Sequence, residues 1–135
     1  MAFANLNLGQ KVSVKYFIGA MVLFIAQMVF GLLAGIQFIQ PEFLYQILDF
    51  NVTRMVHINA MIIWLLFGFL GSVYWLVEDE AGTSLVGYKL ANIGFWVLSI
   101  AVTIVVLVYL FVQVGSGTQA SVSYTHLTLP TKRIV

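Results

Sequence analysis

An arginine and a histidine stand three residues apart where a long apolar run begins, in the segment FNVTRMVHINAMIIW (50–64). At about 100° per residue they share a helical face with four later residues. The members of this face are Arg54, His57, Met61, Trp64, Gly68 and Gly71. A neutral imidazole offers a lone pair to a metal such as haem iron, and its other ring nitrogen then needs an acceptor that fixes the tautomer. An arginine one turn away can pair with a carboxylate such as a haem propionate. One interpretation is therefore a stripe that faces a cofactor.

The same residues also fit purely structural roles. Arg54 can extend from a helix end to the lipid headgroups, and a histidine on an apolar face is often simply hydrogen-bonded to a neighbouring helix. Ionisable groups inside a membrane also serve proton or ion movement. The spacing leaves these alternatives open. We further predict that Asn59 bonds a neighbouring helix, and that Gly31 and Gly35 form a small-xxx-small packing face.

The chain has the composition of a membrane protein. Of its 135 residues, 61% are hydrophobic and only 8% are charged, and the mean hydropathy is +1.02, far above the range of soluble domains. The formal net charge of +1 offers no basic surface of the kind that binds nucleic acid, so we expect a lipid bilayer and no nucleic acid as partner. Cysteine is absent, which excludes disulfides, thiolate metal sites and a covalently attached c-type haem.

Three apolar runs, the second and third of them uncharged after their first few residues, are long enough to cross about 30 Å of hydrocarbon as helices. They cover residues 16–39, about 52–77 and about 90–114. A stretch that contains Pro41 separates the first two runs, and an acidic, small-residue segment separates the last two. We therefore predict an all-α integral membrane protein whose residues 16–114 form three transmembrane helices.

The distribution of lysine and arginine predicts the orientation, because these residues are retained on the cytoplasmic side. Three lysines fall at one end of the predicted bundle, namely Lys11, Lys15 and Lys89. Arg54 alone falls at the opposite end. We expect residues 1–15 to be a cytoplasmic segment and the acidic residues 78–80 to face the cytoplasm as well.

The last stretch, residues 115–135, differs abruptly from everything before it. It is polar and rich in threonine, and its segment VSYTHL (122–127) matches, codon by codon, one reading frame of the transposon-end adapter used in sequencing libraries. We interpret residues 115–135 as a non-native or disordered tail. His126 then has no function, the gene continues, and the chain is an N-terminal fragment.

The run FNVTRMVHINAMIIWLLFGFLGSVYWLVEDEAG, with the upstream YFIGAMVLFIAQMVFGLLAGIQF, resembles the start of a known membrane subunit. It is similar to the large, haem-bearing subunits of cytochrome c-dependent nitric oxide reductases, in the haem-copper oxidase superfamily. The resemblance covers about residues 10–114. It implies that His57 is an axial ligand of a low-spin haem b and that Arg54 meets the haem propionates. It also implies the cell inner membrane, a small cytochrome c subunit as electron donor, and a larger helical bundle of which these helices are the N-terminal part.

By that resemblance, the intact protein reduces two molecules of nitric oxide to nitrous oxide and water, with a high-spin haem b and a non-haem iron as further cofactors. The second axial histidine and all ligands of the catalytic centre come later in the family, so we expect no catalytic residue here and an inactive fragment. Two alternatives remain. One is a fragment of a quinol-fed reductase or a terminal oxidase subunit; the other is a small non-catalytic helical membrane protein, such as an assembly factor or a transporter piece.

Overall fold

Three long helices make up most of the computed structural model, which describes residues 6–44 and 46–112. They are α1 (Leu8–Ile39), α2 (Phe50–Ala81) and α3 (Tyr88–Val112). Each is long and apolar enough to cross a membrane. At a rise of 1.5 Å per residue, a helix of 32 residues is about 48 Å long, so its ends extend beyond the hydrocarbon core. The predicted all-α membrane architecture with three spans is confirmed.

All three helices begin before the apolar runs, and α2 also continues past the end of its run. α1 begins at Leu8, about two turns earlier than predicted, so residues 8–15 belong to the first helix rather than to a separate segment. The Gln10 side chain stabilises this start by accepting a hydrogen bond from the Asn7 N–H at 3.0 Å. α2 ends at Ala81, and Gly82, with a φ of 62°, caps the helix in the left-handed conformation.

One cluster of buried residues lies toward the end of the bundle where α1 begins. It consists of Val12, Tyr16, Ala20, Phe67 and Ala91. Val52, Val56 and Ala60 of α2 are buried as well, outside this cluster. The Tyr16 ring lies 5.3–5.5 Å, between ring centroids, from three other aromatic rings, and its hydroxyl donates to the Ala91 carbonyl at 3.0 Å. Tyr16 therefore joins all three helices, whereas α1 and α2 continue together beyond the core.

A buried carboxylate ties this end together. Glu78 is only 1% exposed, although we expected it to face the cytoplasm with its exposed neighbours 79 and 80. It accepts hydrogen bonds from the backbone N–H groups of Gly9 at 2.9 Å, Gln10 at 2.7 Å and Leu85 at 2.6 Å. The first two are donors that the start of α1 leaves without a helical partner, and the helix dipole favours a negative charge there. Glu78 thus caps α1 and fixes the α2–α3 connection.

Replacing this carboxylate should destabilise the bundle. In Glu78→Gln an amide N–H₂ replaces one acceptor oxygen and confronts backbone donors, so we expect a loss of about 1–3 kcal/mol in the free energy of unfolding. Thermal unfolding of the detergent-solubilised chain measures it. The matched control is Glu80→Gln, because Glu80 is exposed. Equal melting temperatures for the two variants would contradict the capping role.

Candidate functional site

His57 lies in the third turn of α2 and is held by the backbone of α1. Its Nδ1 is 2.6 Å from the carbonyl oxygen of Gln27, and the side chain is half-buried. Since a carbonyl oxygen only accepts, the bond requires the proton on Nδ1. In the neutral ring this leaves the lone pair on Nε2. Metal-binding histidines commonly have this arrangement, in which an acceptor on the other ring nitrogen fixes the tautomer and the ring orientation.

The ring fits against α1 only because residue 31 has no side chain. A Cβ atom placed on Gly31 would lie 2.7 Å from His57 Cε1 and 2.8 Å from Nδ1, closer than van der Waals contact permits. Gly35, in the same GLLAG motif, has no atom within 4 Å of such a Cβ. The predicted interhelical packing is therefore found at Gly31, whereas no described residue packs on Gly35. What Gly31 accommodates is the imidazole.

The residues of the predicted stripe on α2 form two parallel rows. One row packs against α1 and is the packed side; the other is the open side. On the packed side, Trp64 meets Phe24 edge-on at 5.0 Å between ring centroids, and a Cβ on Gly71 would contact the side chains of Tyr16 and Phe17 at 3.2 Å. The open side contains Arg54, which is exposed, Met61, which is 39% exposed, and Gly68, which has no neighbour within 4 Å of a Cβ.

His57 lies at the boundary between these two sides, by the helical period. α1 holds one ring nitrogen, and the surface of α2 beside the ring is free of other parts of the described chain. A flat group that approached this surface would meet small and flexible side chains, together with the guanidinium of Arg54 one turn nearer the start of α2. The structure therefore places Arg54 and His57 on neighbouring positions of one helix, as the spacing predicts.

Two polar side chains on the same helix as His57, Asn59 and Trp64, do not have the hydrogen-bond partners that we expected. Asn59 donates to the Met55 carbonyl of its own helix at 2.8 Å, the carbonyl four residues earlier being within reach of a short amide; no bond to a neighbouring helix is present among the described residues, and that bond stays a prediction. Trp64 Nε1 is buried without an acceptor among the described residues, although buried donors are generally paired.

Within residues 6–44 and 46–112, no three His, Cys, Asp or Glu side chains come together as a metal site. A metal-bearing cofactor at this place would therefore take a single ligand, His57, from the described chain. Sequence reasoning found His57 and Arg54 by residue type and spacing. It missed the roles of Gly31 and of the Gln27 carbonyl; the GLLAG motif gave a signal for the glycine, but nothing in the sequence marks the carbonyl.

Comparison with known proteins identifies a family and a similar curated protein. The family described as cytochrome C and quinol oxidase polypeptide I matches residues 11–134. A nitric oxide reductase subunit of Stutzerimonas stutzeri is 48% identical over 103 residues, which make up 76% of this chain and 22% of that protein. The chain thus spans about a fifth of the length of this relative. The family match includes most of the tail, which lies outside the described residues; its foreign origin stays a prediction.

Proposed function

Because this chain belongs to the family of cytochrome c and quinol oxidase polypeptide I, the haem-copper oxidases, we propose that it is the N-terminal part of a nitric oxide reductase catalytic subunit. The intact subunit reduces two molecules of nitric oxide to nitrous oxide and water. His57 is an axial ligand of its low-spin haem b, and Arg54 pairs with a haem propionate. The similarity to the nitric oxide reductase subunit of Stutzerimonas stutzeri supports the reaction.

The observation that carries the ligand proposal is the bond of His57 Nδ1 to the Gln27 carbonyl at 2.6 Å. The carbonyl holds the proton on Nδ1, raises the basicity of Nε2 and keeps the ring from rotating. Gly31 allows the ring this close to α1. When bound, a low-spin haem supplies one-electron transfer. The residues described here bind and orient, and the remaining ligands and the catalytic centre belong to other parts of the subunit.

The intact subunit lies in the cell inner membrane with the N-terminus in the cytoplasm, and a small cytochrome c subunit delivers electrons from the outer side. Expression of the complete subunit from its source locus tests the function. We expect one nitrous oxide for every two nitric oxide molecules consumed, with reduced cytochrome c as donor. Oxygen consumption without nitric oxide reduction would indicate a terminal oxidase. Activity with quinol but not with reduced cytochrome c would contradict cytochrome c as the electron donor. A reading frame without further histidine-rich helices would favour a non-catalytic protein.

Arg54→Ala in the complete subunit should retain the low-spin haem but lower its midpoint potential. A charge-assisted hydrogen bond contributes about 1.5–3 kcal/mol. A nearby positive charge favours the reduced, more negative form of the haem, so its loss makes reduction harder. Potentiometric titration measures the shift, and Arg54→Lys, which keeps the charge, should recover most of the potential. An unchanged midpoint potential in Arg54→Ala would contradict the proposed pairing of Arg54 with a haem propionate.

The orientation is tested at the two connections between helices. Thr83→Cys, in the exposed α2–α3 connection, should resist a membrane-impermeant thiol reagent in intact cells and react after permeabilisation. Gln46→Cys, exposed between α1 and α2, is the matched control and should react without permeabilisation. The chain contains no cysteine, so neither variant has a background signal. The reverse labelling pattern would invert the topology.

A further inference from the structure

Three exposed lysines line a cavity between α1 and α3, at the end of the bundle where α1 begins. The cavity has a volume of about 530 Å³ and is lined by Lys11 and Lys15 of α1 and by Lys89 and Asn92 of α3. Among the described residues, no acidic side chain lines it. Lys15 Nζ donates to Asn92 Oδ1 at 2.8 Å, which occupies the amide oxygen and leaves the amide N–H₂ donors of Asn92 available. The cavity thus presents cations and donors, a combination suited to an anion.

A second, apolar groove lies further along the same two helices. Its volume is about 240 Å³, and it is lined by α1 and α3 together with Phe67 of α2. Its first lining residues, Ile18 and Phe95, come three positions after Lys15 and Asn92, so they lie about one turn further along. The groove extends at least to Val22 on α1 and Thr103 on α3. Along one seam, a basic cavity is therefore followed by an apolar channel.

We propose that this α1–α3 seam, defined by the basic cavity and the apolar groove, binds one anionic phospholipid of the phosphatidylglycerol type. The lysines and Asn92 bind its phosphodiester, and the groove holds part of an acyl chain. Basic pockets between transmembrane helices bind such headgroups. A zwitterionic lipid carries its own cation beside the phosphate and gains less from three lysines, and a free phosphate leaves the groove unused. The site does not depend on haem binding.

Lipid titration of the complete, delipidated subunit, followed by native mass spectrometry, tests the proposal. Dioleoyl phosphatidylglycerol should bind at least about 10-fold tighter than dioleoyl phosphatidylcholine. The triple variant Lys11→Gln, Lys15→Gln, Lys89→Gln should lose about 100-fold in affinity, since each cation near a membrane surface contributes roughly a factor of five. The corresponding triple Lys→Arg variant keeps the charges and should bind the lipid as tightly as the unmodified subunit does. This control distinguishes the loss of positive charge from misfolding as the cause of weaker binding.

The groove is tested separately. Ser99→Phe fills the channel and should weaken binding of the dioleoyl lipid but not of dihexanoyl phosphatidylglycerol. Ile100→Phe is the matched control, because Ile100 is 57% exposed and does not line the groove. The proposal would be overturned if the triple Gln variant bound dioleoyl phosphatidylglycerol as tightly as the unmodified subunit does. It would also be overturned if the unmodified subunit did not bind this lipid. Inorganic phosphate that displaces the dioleoyl lipid at equal concentration would also overturn it, since the site would then recognise a small anion.

Discussion

Replacing His57 with alanine in the complete subunit should abolish the six-coordinate low-spin haem b spectrum and lower nitric oxide reduction by more than about 100-fold. Loss of the hydrogen-bond partner of a metal ligand already costs about 10–100-fold, and loss of the ligand itself should cost more. With haem bound as proposed, loss of the His57 nitrogen would remove one ligand of the iron, which would change its spin state and loosen binding. Absorption and electron paramagnetic resonance spectra of the purified variant measure the change.

The control for this variant is Asn59→Ala, two residues away on the same helix. Asn59 bonds only its own helix among the described residues, so its removal should leave the spectrum intact. A second variant, His57→Gly, opens a space that added imidazole can enter, and imidazole should then restore part of the low-spin signal. An unchanged low-spin spectrum in His57→Ala would exclude the ligand role and remove the main structural support for haem binding here.

The existence of the three helices followed from the sequence, but their ends did not. Hydropathy reports which residues prefer lipid, and it says nothing about where helical hydrogen bonding stops. Lys11 and Lys15 are good helix formers, so α1 continues through them into the polar zone. The prediction that the Glu78 side chain is exposed like those of residues 79 and 80 failed for a related reason. Its charge suggests water, yet the unpaired N–H groups at the start of α1 provide a buried site that only the packing of two helices creates.

At the candidate site, too, the sequence predicted the features that lie within one helix but not those that depend on how two helices pack. The types and spacing of Arg54 and His57 were sufficient to single them out, because both lie on one helix and 100° per residue relates them. The support of His57 depends on the register of α1 against α2, and its acceptor is a backbone carbonyl that every residue possesses. Periodicity also suggested a neighbouring helix for Asn59, but it could not show that the amide donates to the Met55 carbonyl within α2.

A glycine-to-alanine change at position 31 should separate ring positioning from helix packing. Alanine is favoured over glycine inside a helix by about 1 kcal/mol, so Gly35→Ala, which meets no atom within 4 Å, should leave function intact and slightly stabilise α1. Gly31→Ala places a methyl group 2.7 Å from His57 Cε1. The ring must then shift, and its bond to the Gln27 carbonyl is weakened or lost.

In the complete subunit, Gly31→Ala should therefore lower the affinity for the low-spin haem or the activity by about 10–100-fold, the range found when a metal ligand loses its hydrogen-bond partner. Where haem is retained, its midpoint potential should rise, because an imidazole without its Nδ1 acceptor donates less electron density and stabilises the oxidised iron less. Arg54→Ala lowers the potential, so the two variants shift it in opposite directions. Potentiometric titration of Gly31→Ala beside Gly35→Ala measures this, with helicity and melting temperature as checks on folding. Indistinguishable potentials and haem contents would mean that the contact of Gly31 with His57 is packing alone.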